Sequence, residues 1–143
     1  INQYETFVLC QIIKSSNSKI IFEIGTFKGQ TTYNMNQNLP DEGKIYTLDL
    51  NQILSAYEKV IPLCADSAYF DFSPYHNKID LMFIDGNHDY DYVLSDSENA
   101  FRCVKEGGFI IWHNFVHDRP HTIKAILDFC HCYNLRLFWI DGT

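Results

Sequence analysis

Short continuous apolar runs recur along the chain, and between them the apolar positions fall three or four apart. Residues 19–24, 44–49, 59–64, 79–84, 109–112 and 135–140 read as strands. The runs do not alternate with polar residues, which is the pattern of strands covered on both faces of a parallel sheet. Pro62 interrupts the third run and suits it to a sheet edge. Tyr4, Phe7, Val8, Gln11 and Ile12 have helical spacing and predict an N-terminal helix. Residues 29–38 predict a second helix, closed by the turn Leu39-Pro40-Asp41-Glu42-Gly43, and residues 51–57 a short one. Residues 92–104 predict a helix with Val93, Ala100, Phe101 and Val104 on its buried face. Glu106-Gly107-Gly108 then reads as a turn. A last helix over 119–133 carries Ile123, Ile126, Leu127 and Cys130 on one side. Strand and helix alternate throughout. This predicts an α/β fold, a three-layer α/β/α sandwich around a Rossmann-like, doubly wound and mostly parallel sheet. No repeat, low-complexity tract or linker divides residues 1–143, so one domain is expected.

Composition narrows the function classes. Hydrophobic residues make up 46% and charged residues 20% of the chain, values of a globular domain. A formal net charge of −7 argues against general affinity for nucleic acid or anionic membranes. No apolar run is long enough to span a bilayer and no leader pattern is present, which predicts a cytoplasmic protein, although a chain that begins at Ile1 is compatible with a removed leader or domain. Cys10, Cys64, Cys103, Cys130 and Cys132 are odd in number and lie mostly in apolar surroundings, so they read as buried, reduced thiols. Cys130-His131-Cys132 falls in a helical pattern without a second Cys/His pair at zinc-site spacing, and no metal is expected there.

The chemistry collects at strand ends. The first strand runs into Glu23-x-Gly25-x-x-x-Gly29, which brings exposed backbone N–H groups and a carboxylate to one point. A dinucleotide fingerprint would carry Gly-x-Gly-x-x-Gly. Glu23 in the first glycine's place disfavours a pyrophosphate and suits a ligand with a cationic end and hydroxyls. The second strand ends in Asp49, about 20 residues after Gly29, where a carboxylate can take both hydroxyls of a ribose. Asp66 and Ser67 follow the third strand, and Asp85 closes the fourth. Asp66 and Ser67 also suit helix capping.

In this order and spacing, Glu23-x-Gly25-x-x-x-Gly29, Asp49, Asp66-Ser67 and Asp80-Leu81-Met82-Phe83-Ile84-Asp85-Gly86 resemble the successive motifs of class I S-adenosylmethionine-dependent methyltransferases. The loop Ile84-Asp85-Gly86-Asn87-His88-Asp89-Tyr90 is similar to that of small-molecule O-methyltransferases of the macrocin O-methyltransferase-like branch. The resemblance implies S-adenosylmethionine as cofactor. Gly25, Gly29 and the backbone of Thr26 and Phe27 would cradle its methionine part, with Glu23 near the amino group. Asp49 would bind the ribose, Leu50 would lie against the adenine, and Asp66 with Ser67 would contact the adenine edge. Asp85 would stand beside the transferable methyl. It further implies Mg²⁺ or Mn²⁺ on Asp85, His113 and Asn114, although relatives often carry His-Asp or Asp-Asp where this chain has His113-Asn114.

Methyl transfer to oxygen needs an aligned acceptor and a route for its proton. His88 is the first candidate base and His113 the second, with Asp85 as an orienting carboxylate or metal ligand. His88 could instead fix its turn through Asp85 or Asp89, and His117 and His121 are expected to be exposed. Asp89, Asp91, Asp96 and Glu98 form an acidic run that favours a helix dipole. Tyr69, Phe70, Phe72 and Tyr75 form an aromatic group suited to core packing. The family sheet has seven strands, and the seventh is missing after Asp141-Gly142-Thr143; the unpaired edge left behind invites association, hence a homodimer. The expected partner is a small-molecule acceptor. A non-catalytic methyltransferase-like domain and an NAD-dependent oxidoreductase are the rival readings, the latter opposed by the glycine spacing.

Overall fold

Five of the apolar runs form one sheet. They are β1 (Ile20–Ile24), β2 (Lys44–Asp49), β3 (Val60–Cys64), β4 (Ile79–Ile84) and β5 (Val104–Trp112), in the spatial order β3-β2-β1-β4-β5. The computed structural model describes residues 1–140. Every ladder between these strands is parallel. Helices α1 (Gln3–Ser16) and α2 (Gln30–Asn36) cover one face; α3 (Tyr90–Cys103) and α4 (Pro120–Cys132) cover the other. Side chains alternate along each strand, so both layers draw on the same runs. Ile21, Ile45, Leu81 and Phe83 meet Leu9, Ile13 and Met35. Phe22, Ile24, Leu48, Met82 and Ile84 meet Ala100 and Cys103. The three-layer, doubly wound architecture is therefore present. β1 lies between β2 and β4, the point of chain reversal where such sheets open a crevice at their C-terminal ends.

The departures from expectation have local causes. Residues 51–57 are not helical, because side chains take the backbone donors a helix would need. Asp49 Oδ1 accepts the Asn51 N–H at 2.9 Å, and Gln52 Oε1 accepts the Leu54 N–H at 3.0 Å. β5 begins at Val104, and the expected turn at Glu106-Gly107-Gly108 is an irregularity inside it: Val104 pairs with Ile79, whereas Phe109 pairs with Leu81. Gly107, at φ +79°, allows the extra residues, and a Cβ on Gly108 would approach the Asp80 carbonyl to 2.7 Å. Residues 135–140 are irregular rather than a sixth strand; Trp139 packs edge-on against Phe115 at 5.2 Å. Residues 141–143, and with them the expected turn towards a seventh strand, lie outside the described residues.

Some faces are rotated. α1 buries Leu9, Cys10 and Ile13, leaving Tyr4 and Phe7 exposed, and Phe101 and Leu127 are also exposed. Of the aromatic group, Phe70, Phe72 and Tyr75 pack around Phe22, while Tyr69 is exposed. All five cysteines are free thiols, but Cys64 and Cys132 are exposed rather than buried.

Two carboxyl groups brace the sheet. At its N-terminal end, Asp80 Oδ2 accepts the N–H groups of Lys19 and Ile20 at 2.9 and 2.8 Å, and Oδ1 meets Lys105 Nζ at 2.9 Å. Burial pushes the Asp80 pKa up, but Lys105 and the two N–H groups outweigh it and hold it below the ordinary aspartate value. Near the C-terminal end, Glu23 is wholly buried on β1, and its Oε2 accepts hydroxyls from Thr32 of α2 and Thr47 of β2. The chain of contacts continues from Thr47 to Thr26 at 2.6 Å and from Thr26 to the Gln52 amide at 2.9 Å. Among the described residues no cation compensates the Glu23 charge, and burial raises its pKa to about 7 against the pull of the two hydroxyls.

Opposite pH signatures follow. D80A is expected to cost about 1–3 kcal/mol at neutral pH in denaturant unfolding. That cost should vanish as pH falls through the depressed folded-state pKa, because the native carboxylate is what the donors hold. Glu23 has the other sign: its native state keeps a proton that the unfolded chain releases above the ordinary glutamate value of 4.5. Its contribution is complete below that value and is lost as pH rises through about 7, amounting to roughly 3 kcal/mol. E23Q should accordingly flatten the fall in stability over that interval, and an unchanged pH slope would refute the assignment.

Candidate functional site

The loops after β1 and β4 touch. Gly25 has φ +97°, and a Cβ there would lie 2.1 Å from the Asp85 carbonyl oxygen, so no other residue fits without moving the backbone. The contact is locked from both sides: Gly25 N–H donates to Leu48 O, and Asp85 N–H donates to Ile24 O, each at 2.8 Å. Phe27, at φ +47°, turns its N–H to Asp49 Oδ2 at 2.8 Å. Gly29, at φ +73°, starts α2, and a Cβ on it would meet the Leu54 side chain at 2.8 Å.

Around this contact opens a crevice of about 420 Å³. Of the residues expected to bind the cofactor, Gly25, Phe27, Asp49, Leu50, Asp66, Ser67 and Asp85 line it. Glu23, Thr26 and Gly29 do not. Glu23 and Thr26 lie beneath the loop in the buried hydroxyl network, so Glu23 shapes the loop from below. Asp49 holds backbone through both oxygens, Oδ1 taking the Asn51 N–H and Oδ2 the Phe27 N–H, while Asp66 Oδ1 takes the Ala68 N–H at 3.0 Å. Tyr92, which the sequence pattern did not single out, also lines the crevice and donates its hydroxyl to Asp66 Oδ2 at 3.0 Å.

At one end of the crevice Asp85 Oδ1 meets His113 Nδ1 at 3.0 Å, and His113 Nε2 meets Glu5 Oε2 at 3.2 Å. Burial lowers the His113 pKa, but the two carboxylates outweigh it and raise it above the ordinary histidine value. Like His88, His113 is not among the crevice residues; it lines an apolar hollow beside β5. Asn114 sits at φ +62° with its Oδ1 buried and unpartnered. His88 is placed differently from expectation. Its ring Nε2 is buried without a partner, its carbonyl accepts the Thr122 hydroxyl at 3.3 Å, and it is not among the crevice residues. The Asp89 N–H is held by Asn87 Oδ1 at 2.9 Å.

Among the described residues no three His, Cys, Asp or Glu side chains form a cation site, so a metal would need the Asn114 amide. The donor set fits one in chemistry: Asn114 Oδ1 is an orphaned hard oxygen, and Asp85 supplies a carboxylate beside the His113 nitrogen.

One buried group departs from its sequence neighbourhood. Asp96 sits in a run of acids that reads as exposed, but it is fully buried on α3 with both oxygens unpartnered. The sequence carried the signal, since position 96 shares helical spacing with the buried Val93 and Ala100. Burial, reinforced by the Asp66 charge and opposed by the Ser67 hydroxyl, raises its pKa to about 7.

Comparison with known proteins agrees with this geometry. The family described as "Methyltransferase domain" matches residues 22–115. Caffeoyl-CoA O-methyltransferase 2 of Petunia hybrida is 31% identical over 124 residues, covering 74% of this chain and 50% of that protein. Caffeoyl-CoA O-methyltransferase 1 of Nicotiana tabacum gives the same identity and coverage. The chain thus spans about half the length of these relatives. The fold matches the O-methyltransferase from Bacillus cereus in complex with SAH, with a TM-score of 0.75 at 18% identity, over 92% of this chain and 69% of that one. It also matches the O-methyltransferase TomG of Streptomyces achromogenes in complex with SAM, with a TM-score of 0.73 at 15% identity, over 96% and 70%. The chain belongs to the methyltransferase domain family.

Proposed function

We propose that this chain is the S-adenosylmethionine-binding core of an O-methyltransferase (EC 2.1.1.-) that moves a methyl group to a hydroxyl of a small molecule. The observation that carries the reading is the crevice itself: a glycine loop flanked by Asp49 and Asp66, with the Asp85–His113 pair at one end. The relatives named for caffeoyl-CoA and the SAM- and SAH-bound neighbours support it. The glycine spacing and the family match run against an NAD-dependent oxidoreductase.

In this reading Gly25 and Phe27 bring the backbone against the methionine part, Asp49 takes the ribose hydroxyls, Leu50 lies against the adenine, and Asp66 with Ser67 meets its edge. His113 is the base that receives the acceptor proton, ahead of His88: its Nδ1–H stays on Asp85, and its Nε2 takes the proton once Glu5 has turned away and left that nitrogen unprotonated, whereas the His88 ring has no carboxylate partner. Asp85 orients the imidazole and, with Glu5, stabilises it once protonated. A divalent cation, Mg²⁺ or Mn²⁺, is the alternative to that base, favoured by the orphaned Asn114 Oδ1; Asp85, His113 and Asn114 would hold it, His113 then serving as ligand and not as base, and it would lower the pKa of the acceptor hydroxyl. The macrocin-like branch is proposed on the loop Ile84–Tyr90 alone. A cytoplasmic location and a homodimer belong to the same reading, the first supported by the free thiols and the second by the position of β5 as an outer strand of the sheet among the described residues.

Titration with S-adenosylhomocysteine should raise the melting temperature, and no shift would overturn the cofactor reading. With S-adenosylmethionine and a panel of hydroxyl acceptors including caffeoyl-CoA, H113A should lose at least about 100-fold in turnover while S-adenosylhomocysteine affinity holds. H88A should lose far less. Turnover untouched by H113A would point to another base, and absence of turnover with every acceptor would support the non-catalytic reading. EDTA should suppress turnover and Mn²⁺ restore it if the cation takes part; indifference to both removes it.

A further inference from the structure

One turn of α3 stands behind the Asp66–Ser67 segment. Tyr92 and Asp96 are four residues apart and share a helix face. Tyr92 donates its hydroxyl to Asp66 Oδ2 at 3.0 Å. Asp96 faces the Ser67 hydroxyl, yet neither of its oxygens has closed a hydrogen bond. The carboxyl is also next to the crevice wall, since a Cβ on Gly86 would lie 3.7 Å from Asp96 Oδ2. A fully buried, unpartnered acid is a costly thing to keep, and the methyl-transfer steps assigned above make no use of it.

We propose that Asp96, together with Tyr92, is a positioning residue that fixes Asp66 and Ser67 to read the 6-amino edge of a purine. The inference rests on the reading of the crevice as the S-adenosylmethionine site. A 6-amino group is a donor and needs an acceptor held at a set position. Asp66 Oδ1 is turned by the Ala68 N–H and Oδ2 by Tyr92, which leaves its remaining lone pairs in one orientation. Ser67 lacks such a hold until the purine seats and its hydroxyl closes onto Asp96. A 6-oxo purine places an acceptor against the Asp66 acceptor and is rejected. Tyr92 and Asp96 therefore act through Asp66 and Ser67 on the choice of base.

Calorimetric titration with S-adenosylhomocysteine and its 6-oxo analogue, S-inosylhomocysteine, tests this. The unaltered chain should prefer the 6-amino compound by at least roughly 10-fold. D96A should reduce that preference to below about 3-fold, chiefly by weakening the 6-amino compound, while D96N, which keeps an acceptor for Ser67, should retain most of it. Equal weakening of both compounds in D96A would indicate a merely structural role and overturn the proposal, as would an unchanged preference. Should D96A fail to fold, S67A removes the same contact from the crevice side and must narrow the preference; a full preference in S67A overturns the proposal. Failure of the unaltered chain to bind either compound overturns the cofactor reading itself, an outcome distinct from binding whose preference survives in the variants.

Discussion

The crevice depends on a buried carboxyl group that never reaches it. Glu23 gathers hydroxyls from Thr47 on β2 and Thr32 on α2, and through Thr47 it reaches Thr26 in the glycine loop and the Gln52 side chain beyond. The end of β2, α2, the glycine loop and the segment after β2 are thus tied to one point on β1. An ionised carboxylate at this depth, with no cation, would be strongly disfavoured. A group poised near neutrality with hydroxyl partners is the less costly arrangement, and its raised pKa expresses that. The negative charge that argued against a pyrophosphate is therefore structural before it is electrostatic. The hydroxyl network sets where the backbone of Gly25 and Phe27 can go, and that backbone sets the shape of the crevice.

The second constraint is steric. Gly25 lies so close to the Asp85 carbonyl that the loops after β1 and β4 behave as one surface. Asp85 cannot drift from the crevice, and His113, at the end of the neighbouring β5, is brought to it by the parallel register of Ile84 with Trp112. His88 belongs to the same loop as Asp85 but has no such register to aim its ring. Nearness in sequence favoured His88; strand pairing is what sets His113 against Asp85.

Continuous apolar runs made the sheet legible, because a strand covered on both faces leaves little freedom in its composition. The acids at strand ends were legible for a related reason, since parallel strands bring all their C-terminal ends to one side. Legibility failed where side chains competed with the backbone, as Asp49 and Gln52 do over residues 51–57. It failed at β5 because glycines that usually mark a turn also permit an irregular strand, and the choice was made by pairing with β4. It failed for Asp96 because charge was weighed above helical phase.

The N-terminal helix is tied to His113 in a way that its own sequence does not announce. Glu5 closes the capping box of α1 by accepting the Asn2 N–H, and the same oxygen meets His113 Nε2 at 3.2 Å. One carboxylate thus serves a helix start and an imidazole 108 residues away. Helix starts fray first, since their N–H groups lack intrahelical partners. Fraying of α1 would release His113 Nε2 and leave the ring held by Asp85 alone, free to turn. The order of the first helical turn and the orientation of His113 are therefore one property, and a change at Asn2 would reach His113 through Glu5 without touching the crevice.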